Sequence, residues 1–293
     1  MELLLLLNWS SMSIRLIAID IDGTLLDSRW QLPEANRKAI VEAAQRGVEV
    51  ALVTGRRFDF AMPIASEIPC GLTMIVNNGA LIKAKDGTTH LRNLLRVNVA
   101  RRVLLDTLRY RAGAAVVFDR PFENQVIWEY MDWDDPGRRS YFERNRQYLA
   151  QVAPLESCLT EDPIQVMFTG AVAPMRALAA ELARLAYASE FATAVTEYAE
   201  RNFSLVDVVQ PGCSKGASLA AWAARRGIAR DEVLAIGDNL NDREMLEFAG
   251  VPVVMGNSVA ELKSNGWHVT LSNDDAGVAS AIEQFVLQAG SLT

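Results

Sequence analysis

Asp20 and Asp22 stand two residues apart in LIAIDIDGTLLDS (residues 16–28), directly behind an apolar run. Alternate residues on an extended backbone point the same way, so both carboxylates can share a site while Ile21 turns inward. Clustered carboxylates raise each other's pKa and cost stability unless a cation offsets the repulsion. A hard divalent ion does so, and Mg²⁺ takes few carboxylates, completing its shell with water and phosphate oxygens. Other polar groups also follow apolar runs: Thr54, Gly55 and Arg56 after VEVALV, Asn77 and Asn78 after TMIV, and Gly237, Asp238, Asn241 and Asp242 after EVLAI. Lys215 opens the helical stretch before the last of these. Gathered together, the acids, the lysine and the Thr54 hydroxyl form a cradle for a phosphate and its counter-ion. Phosphoryl transfer uses that set, because positioning and charge neutralisation carry most of its catalysis.

The elements that position these groups read as an alternating series. Leu16–Ile19 is a continuous apolar run, the mark of a strand buried on both faces. PEANRKAIVEAAQRG follows as a helix, with Ala35, Ile40, Val41 and Ala44 at helical spacing and Gly47 as its stop. VEVALVTGR and TMIVNNGA read as the second and third strands. From residue 209 the alternation resumes with KGASLAAWAARRG (helix), EVLAIGDNLND (strand), REMLEFAG (helix), VPVVMGN (strand), AELKSNG (helix), HVTLSN (strand) and a closing amphipathic helix. This pattern predicts an α/β fold with a Rossmann-like parallel sheet, whose ligands bind beyond the carboxyl ends of the strands. Residues 84–208 differ. They hold most of the aromatics and a mixed set of strands (AAVVFDR, QVIWEYM, IQVMFTG, NFSLVDVVQP) around the helix PMRALAAELARLAYA, and read as an inserted α+β domain. The core is then 12–83 with 209–293. Residues 1–11 read as an extension without a folding role, since six apolar residues lacking a basic flank make neither a signal peptide nor a span.

Composition narrows the chemistry. A net charge of −7 over 293 residues disfavours nucleic acid and anionic membranes as partners. Three cysteines without CxxC spacing argue against a zinc site or a disulfide framework and suit a reducing, cytoplasmic setting. With only His90 and His268, neither HExxH nor a persuasive Ser-His-Asp triad is available. GxGxxG and GxxxxGK are absent, which removes the usual dinucleotide and ATP signatures.

DIDGT (20–24), TGR (54–56), Lys215 in GCSKG and GDNLND (237–242) resemble the four motifs of the haloacid dehalogenase-like phosphohydrolases. NNGA, VMGNS and SNDDAGVASAIE resemble more narrowly its Cof-like sugar-phosphatase branch, which carries a large α/β cap. The resemblance implies Mg²⁺ as cofactor and a small phosphorylated metabolite as substrate, with no obligate protein partner. It implies that Asp20 is the nucleophile, forming an aspartyl-phosphate, and that Asp22 protonates the leaving oxygen and then activates water. It implies that the metal is held by Asp20, the Asp22 main-chain carbonyl and Asp238, with Asp242 in support. Thr54, the Gly55 amide, Lys215 and Asn241 would contact the phosphoryl group. Ser258 departs from the pattern, standing where the branch usually has alanine, and so does SNGWHVT.

Blander roles compete at several positions. Thr54 could be a helix cap, Asp242 a helix-start residue, Arg56 and Asn78 turn or hinge residues, and RRSYFERNRQ (138–147) a solvated helix. Two rival functions share the site's chemistry. A phosphomutase would return the phosphoryl group to a sugar, and a phosphoacceptor signalling module would keep it.

Overall fold

The computed structural model describes residues 13–134, 136–198 and 202–288; the expected N-terminal extension, 1–11, lies outside them. The chain divides into two compact units, one running to Leu91 and resuming at Ser214, the other Arg92–Cys213.

In the first unit the chain builds β1 (Leu16–Ile19), α1 (Glu34–Gln45), β2 (Glu49–Val53), α2 (Phe58–Ser66), β3 (Thr73–Val76), β4 (Leu81–Ala84) and β5 (Thr89–Arg92). The second unit holds α3 (Val97–Asp106), β6 (Ala114–Val117), β7 (Val126–Trp128), α4 (Pro136–Asn145), β8 (Leu149–Gln151), β9 (Gln165–Gly170), α5 (Val172–Leu182), β10 (Ala192–Tyr198) and β11 (Phe203–Val209). The first unit is completed by α6 (Lys215–Arg226), β12 (Val233–Gly237), α7 (Arg243–Phe248), β13 (Val251–Val254), α8 (Ala260–Lys263), β14 (His268–Val269) and α9 (Gly277–Ile282).

The first unit's sheet has the order β14-β13-β12-β1-β2-β3-β4-β5 among the described residues. β1 lies inside it, parallel to both β2 and β12, with Ile19 opposite Leu52 and Ile236. That placement explains why its four residues are wholly buried, as a parallel strand covered on both faces requires. From β14 to β3 the pairings are parallel; β4 turns back antiparallel to β3. The sequence reading did not foresee this antiparallel edge, because KAKDGTTHLRN lacks the apolar density of the central strands. One face of the sheet packs Leu16, Ala18, Val53, Ala235 and Val254 against Leu219 and Trp222 of α6 and Met245 and Leu246 of α7.

On α1 the buried stripe differs from the expected one. Asn36, Ala39, Ile40 and Ala43 are buried, whereas Ala35 is exposed. Asn36 takes a core position because both polar atoms of its side chain are paired: Nδ2 donates to the Leu25 carbonyl (3.0 Å) and Oδ1 accepts from the Ala279 amide (2.9 Å). A buried polar group so paired costs little and links three segments.

The second unit has its own sheet, ordered β10-β11-β9-β6-β7-β8. Its core sets Val116, Val166, Phe168, Val206 and Val208 against α3 and α5. α4 is not simply solvated: Phe142 is fully buried and packs edge-on against Trp128, 5.5 Å between ring centroids.

Candidate active site

The carboxyl end of β1 delivers Asp20 into the interior, where its amide donates to the Ile236 carbonyl (3.0 Å) and only 4% of the residue is exposed. The chain then makes one wide turn over Ile21–Leu25, closed by the Leu25 amide on the Asp20 carbonyl (3.2 Å). Gly23 lies in that turn at φ +81°, and a Cβ there would sit 2.5 Å from Asp238 Oδ2. Glycine is thus required twice, for its backbone and for the close approach of a carboxylate. Thr24 Oγ1 donates to Asp238 Oδ1 at 2.8 Å, tying the turn to the end of β12.

Lys215 is the first residue of α6, whose cap is Ser214, its side chain accepting from the Ala217 amide at 3.0 Å. A cation at a helix N-terminus opposes the dipole and needs another reason to be there. The reason is visible: Lys215 is 2% exposed and its Nζ donates to both Asp20 Oδ1 and Asp242 Oδ1, each at 2.6 Å. Burial alone would lower its pKa, but Asp20 and Asp242 outweigh burial and raise it. Asp242 is fully buried and its other oxygen accepts the amides of Asp238 and Asn239, both at 3.0 Å. Both oxygens of Asp242 are therefore engaged in holding Lys215 and the loop after β12.

Burial pushes Asp20 well above the usual carboxylate range, with further repulsion from Asp242, although Lys215 pulls the other way. Asp238 is raised to about 7, again by burial first and Asp242 second. Oxygens of Asp20, Asp238 and Asp242 lie within 4.8 Å of one another. The donor set is all carboxylate, anionic and desolvated beyond what one lysine offsets, and this fits a hard divalent cation such as Mg²⁺. With Asp242 committed to Lys215 and two amides, Asp20 and Asp238 are the carboxylates left to hold it.

Thr54 is buried at the end of β2, beside β1. It is not a helix cap, since α2 begins at Phe58 behind Arg57. Its Oγ1 accepts the Arg56 amide (3.1 Å) and its carbonyl accepts the Asn78 amide (3.0 Å). Gly55 is exposed, and a Cβ on it would come 3.0 Å from Asn78 Oδ1. Asn241 lies half-buried in the turn Leu240–Asp242.

The contacts of several residues were not foreseen from the sequence, which offered Arg56 as a turn or hinge residue and Ser258 only as a departure from the family pattern. Arg56 forms a two-pronged ion pair with Asp22, Nε to Oδ2 at 2.8 Å and Nη2 to Oδ1 at 2.5 Å. The available signal was its position, directly behind Thr54-Gly55 at a strand end. Ser258, the departure from the family pattern, donates through Oγ to the Asp238 carbonyl at 2.6 Å. Asn257 donates to the Gly23 carbonyl at 2.8 Å and accepts the Asn273 amide at 2.9 Å. The polar ends of β13 and β14 thus brace both acidic loops.

Comparison with known proteins places this geometry. The family model for haloacid dehalogenase-like hydrolases matches residues 17–282. The phosphatase YwpJ of Bacillus subtilis is 30% identical over 93% of this chain and all of its own. An HMP-PP phosphatase of Cronobacter sakazakii is 32% identical, covering 85% of this chain and 86% of its own. A longer Arabidopsis thaliana protein, the chloroplastic endoribonuclease YBEY, is 27% identical, and the chain spans 46% of its length. Among solved structures, a haloacid dehalogenase-like hydrolase from Bacteroides thetaiotaomicron superposes with a TM-score of 0.77 at 26% identity, covering 93% of this chain and 99% of that one. Together with the acidic strand ends and the buried lysine, these matches show that the chain belongs to the haloacid dehalogenase-like hydrolases, in their Cof-like branch.

Proposed function

We propose that the protein is a Mg²⁺-dependent phosphatase that hydrolyses a small phosphorylated metabolite through an aspartyl-phosphate on Asp20. The observation that carries this reading is Lys215 Nζ set between Asp20 Oδ1 and Asp242 Oδ1 in a buried carboxylate cluster. The printed names of YwpJ and the Cronobacter relative, both phosphatases, support the reaction class. Mg²⁺ would be held by the Asp20 carboxylate, the Asp22 main-chain carbonyl and Asp238. Bound there it supplies positive charge that Asp20, Asp238 and the phosphoryl oxygens share.

In the first step a carboxylate oxygen of Asp20 attacks phosphorus. The bond from phosphorus to the ester oxygen breaks, its electron pair leaves on that oxygen, and the Asp22 carboxyl gives it a proton. In the second step Asp22 takes a proton from water as the water oxygen attacks phosphorus. The bond to Asp20 breaks, its electron pair returns to the Asp20 carboxylate, and inorganic phosphate leaves. Lys215 holds the Asp20 carboxylate in place and neutralises it, while Asp242 keeps the lysine charged and aimed. Thr54, Gly55 and Asn241 are assigned to the phosphoryl oxygens. Choice of substrate is assigned to the inserted unit, and the setting to the reducing cytoplasm, in keeping with cysteines that form no disulfide.

The test is phosphate release from an aryl phosphate and a panel of sugar phosphates, with Mg²⁺ or EDTA, beside Asp20→Asn. Release should require the metal and fall at least about 10³-fold in the variant, as loss of a covalent nucleophile does. Release that survives Asp20→Asn would remove the central assignment. A sugar-phosphate isomer appearing without free phosphate would replace hydrolysis by the mutase reaction.

A further inference from the structure

The acid–base carboxylate assigned above, Asp22, is held by a partner that the family resemblance assigns no role. Arg56 closes a fork on it from the end of the neighbouring strand: Nε stands 2.8 Å from Oδ2 and 3.1 Å from Oδ1, and Nη2 2.5 Å from Oδ1. Such a two-point contact fixes the plane of a carboxylate as well as its position. Of the roughly four acceptor directions of the carboxylate, these contacts take two on Oδ1 and one on Oδ2, which leaves one on Oδ2 for the proton that Asp22 gives and takes. The arginine is itself anchored. Its amide donates to Thr54 Oγ1 at 3.1 Å and its carbonyl accepts the Asn77 amide at 2.9 Å. Its side chain is 19% exposed and that of Asp22 28%, so the pair is partly shielded from water and neither group is loose.

A second observation points to the same pair. Trp30 has φ +62° and is 52% exposed. A non-glycine residue persists in that backbone region only where its surroundings over-determine it, and here they do. Asp27 Oδ1 accepts the amides of Arg29 (2.9 Å) and Gln31 (2.8 Å), and the Asp27 carbonyl accepts that of Trp30 (3.0 Å). Asp274 accepts the Ser28 amide at 2.8 Å, tying the turn to the loop after β14. What this strained turn achieves is to set the indole beside Arg56, whose guanidinium carbon lies 5.6 Å from the ring centroid, within cation–π range.

We propose that Arg56, backed by Trp30, is the positioning residue for Asp22. Its fork sets the direction in which the Asp22 carboxyl meets the leaving-group oxygen. The inference rests on the phosphatase reading and deepens it, since it concerns the proton that the ester oxygen receives as its bond to phosphorus breaks. Arg56 itself transfers nothing.

The discriminating experiment varies how much the leaving group needs that proton. Arg56→Ala, Arg56→Lys and Trp30→Ala are assayed against a hexose phosphate, whose alkoxide must be protonated, and against 2,4-dinitrophenyl phosphate, whose phenolate leaves without help. The readout is kcat/KM, which reports only the steps through leaving-group departure and not the later hydrolysis of the aspartyl-phosphate. For Arg56→Ala it should fall about 10²-fold on the hexose phosphate, the lower end of a general acid's contribution, and change by less than about threefold on the dinitrophenyl ester. Arg56→Lys should recover only part of the loss, because an ammonium cannot reproduce the fork. Trp30→Ala should move the ratio of the two rates in the same direction by about two- to fivefold. Equal losses on both esters would overturn the positioning role, since misfolding or lost phosphate binding lowers both alike. Wild-type turnover that does not depend on Asp20 would instead overturn the phosphatase reading, and the role of Arg56 with it.

Discussion

Lys215 joins the end of β1 and the loop after β12 to the start of α6 through one charge. Its ammonium lies between two carboxylates in a site almost closed to water, where charges are costly unless paired. Replacing it with methionine keeps most of the volume and removes the charge. Lys215→Met should lose phosphatase activity and, in EDTA, destabilise the protein by about 3 kcal/mol, the scale of breaking a buried pair. The sign of the pH dependence follows from the carboxylates left behind. Asp20 and Asp238 have pKa values raised by burial, so the native state takes up their protons more readily than the unfolded chain. Lys215 pulls both carboxylates down in the wild type, so without it they take up protons at higher pH still, and the stability deficit should shrink as pH falls. Melting temperatures of wild type and variant between pH 5 and pH 8 test it. A deficit that does not change with pH would mean that the lysine contributes packing alone.

At the scale of elements, the strand ends of the first unit were legible because apolar runs stopped abruptly at Asp, Thr, Asn or Gly. Asp20, Asp238, Asp242 and Lys215, distant in sequence, do meet in the structure. What the sequence could not display was the bracing between loops. Nothing in the spacing of Asn36, Asn257 or Ser258 announces hydrogen bonds to segments far along the chain, and the pairing of Arg56 with Asp22 spans two strand ends. The inward place of Asn36 also broke the apolar stripe from which α1 was phased. Gly23 gives these loops a testable tolerance. Gly23→Ala should cost about 1–2 kcal/mol from its left-handed backbone. It should also weaken Mg²⁺ binding, because the new Cβ meets Asp238 Oδ2. Gly47 is the control: it has φ +86° with nothing within 4 Å of a Cβ. Gly47→Ala should therefore pay the backbone cost and leave metal affinity unchanged, as calorimetric Mg²⁺ titration would show. Equal metal affinities in the two variants would remove the steric argument.

At the scale of the whole molecule, stability is shared between two cores, each with a carboxylate whose pKa burial raises to about 7. The inserted unit holds Asp207 on β11, 6% exposed and accepting from Gln165 Nε2 at 2.7 Å. Burial raises its pKa to about 7. Between that value and the unfolded carboxylate's, near 4, the native state keeps a proton that the unfolded chain gives up. Asp207 therefore opposes folding most above pH 7 and progressively less as pH falls, by about 1.4 kcal/mol per unit. Asp207→Asn, which keeps the shape and removes the charge, should gain on wild type in melting temperature at pH 8 and lose that advantage near pH 5. A constant difference across that range would place the Asp207 titration elsewhere.

The discontinuity of the first unit also bears on how the protein is made. Asp20 and Lys215 are separated by 195 positions, and β1 needs β12 as well as β2 to cover its edges. At about 5–20 residues per second, a ribosome makes Asp20 roughly 10–40 s before Lys215, the lysine that pairs with it. Through that interval β1 has one parallel neighbour and an acid without its counter-charge, and by its end the inserted unit has all of its own strands. The order of synthesis thus favours an inserted unit that folds first, and a nascent core that stays open until the second half of its sheet emerges.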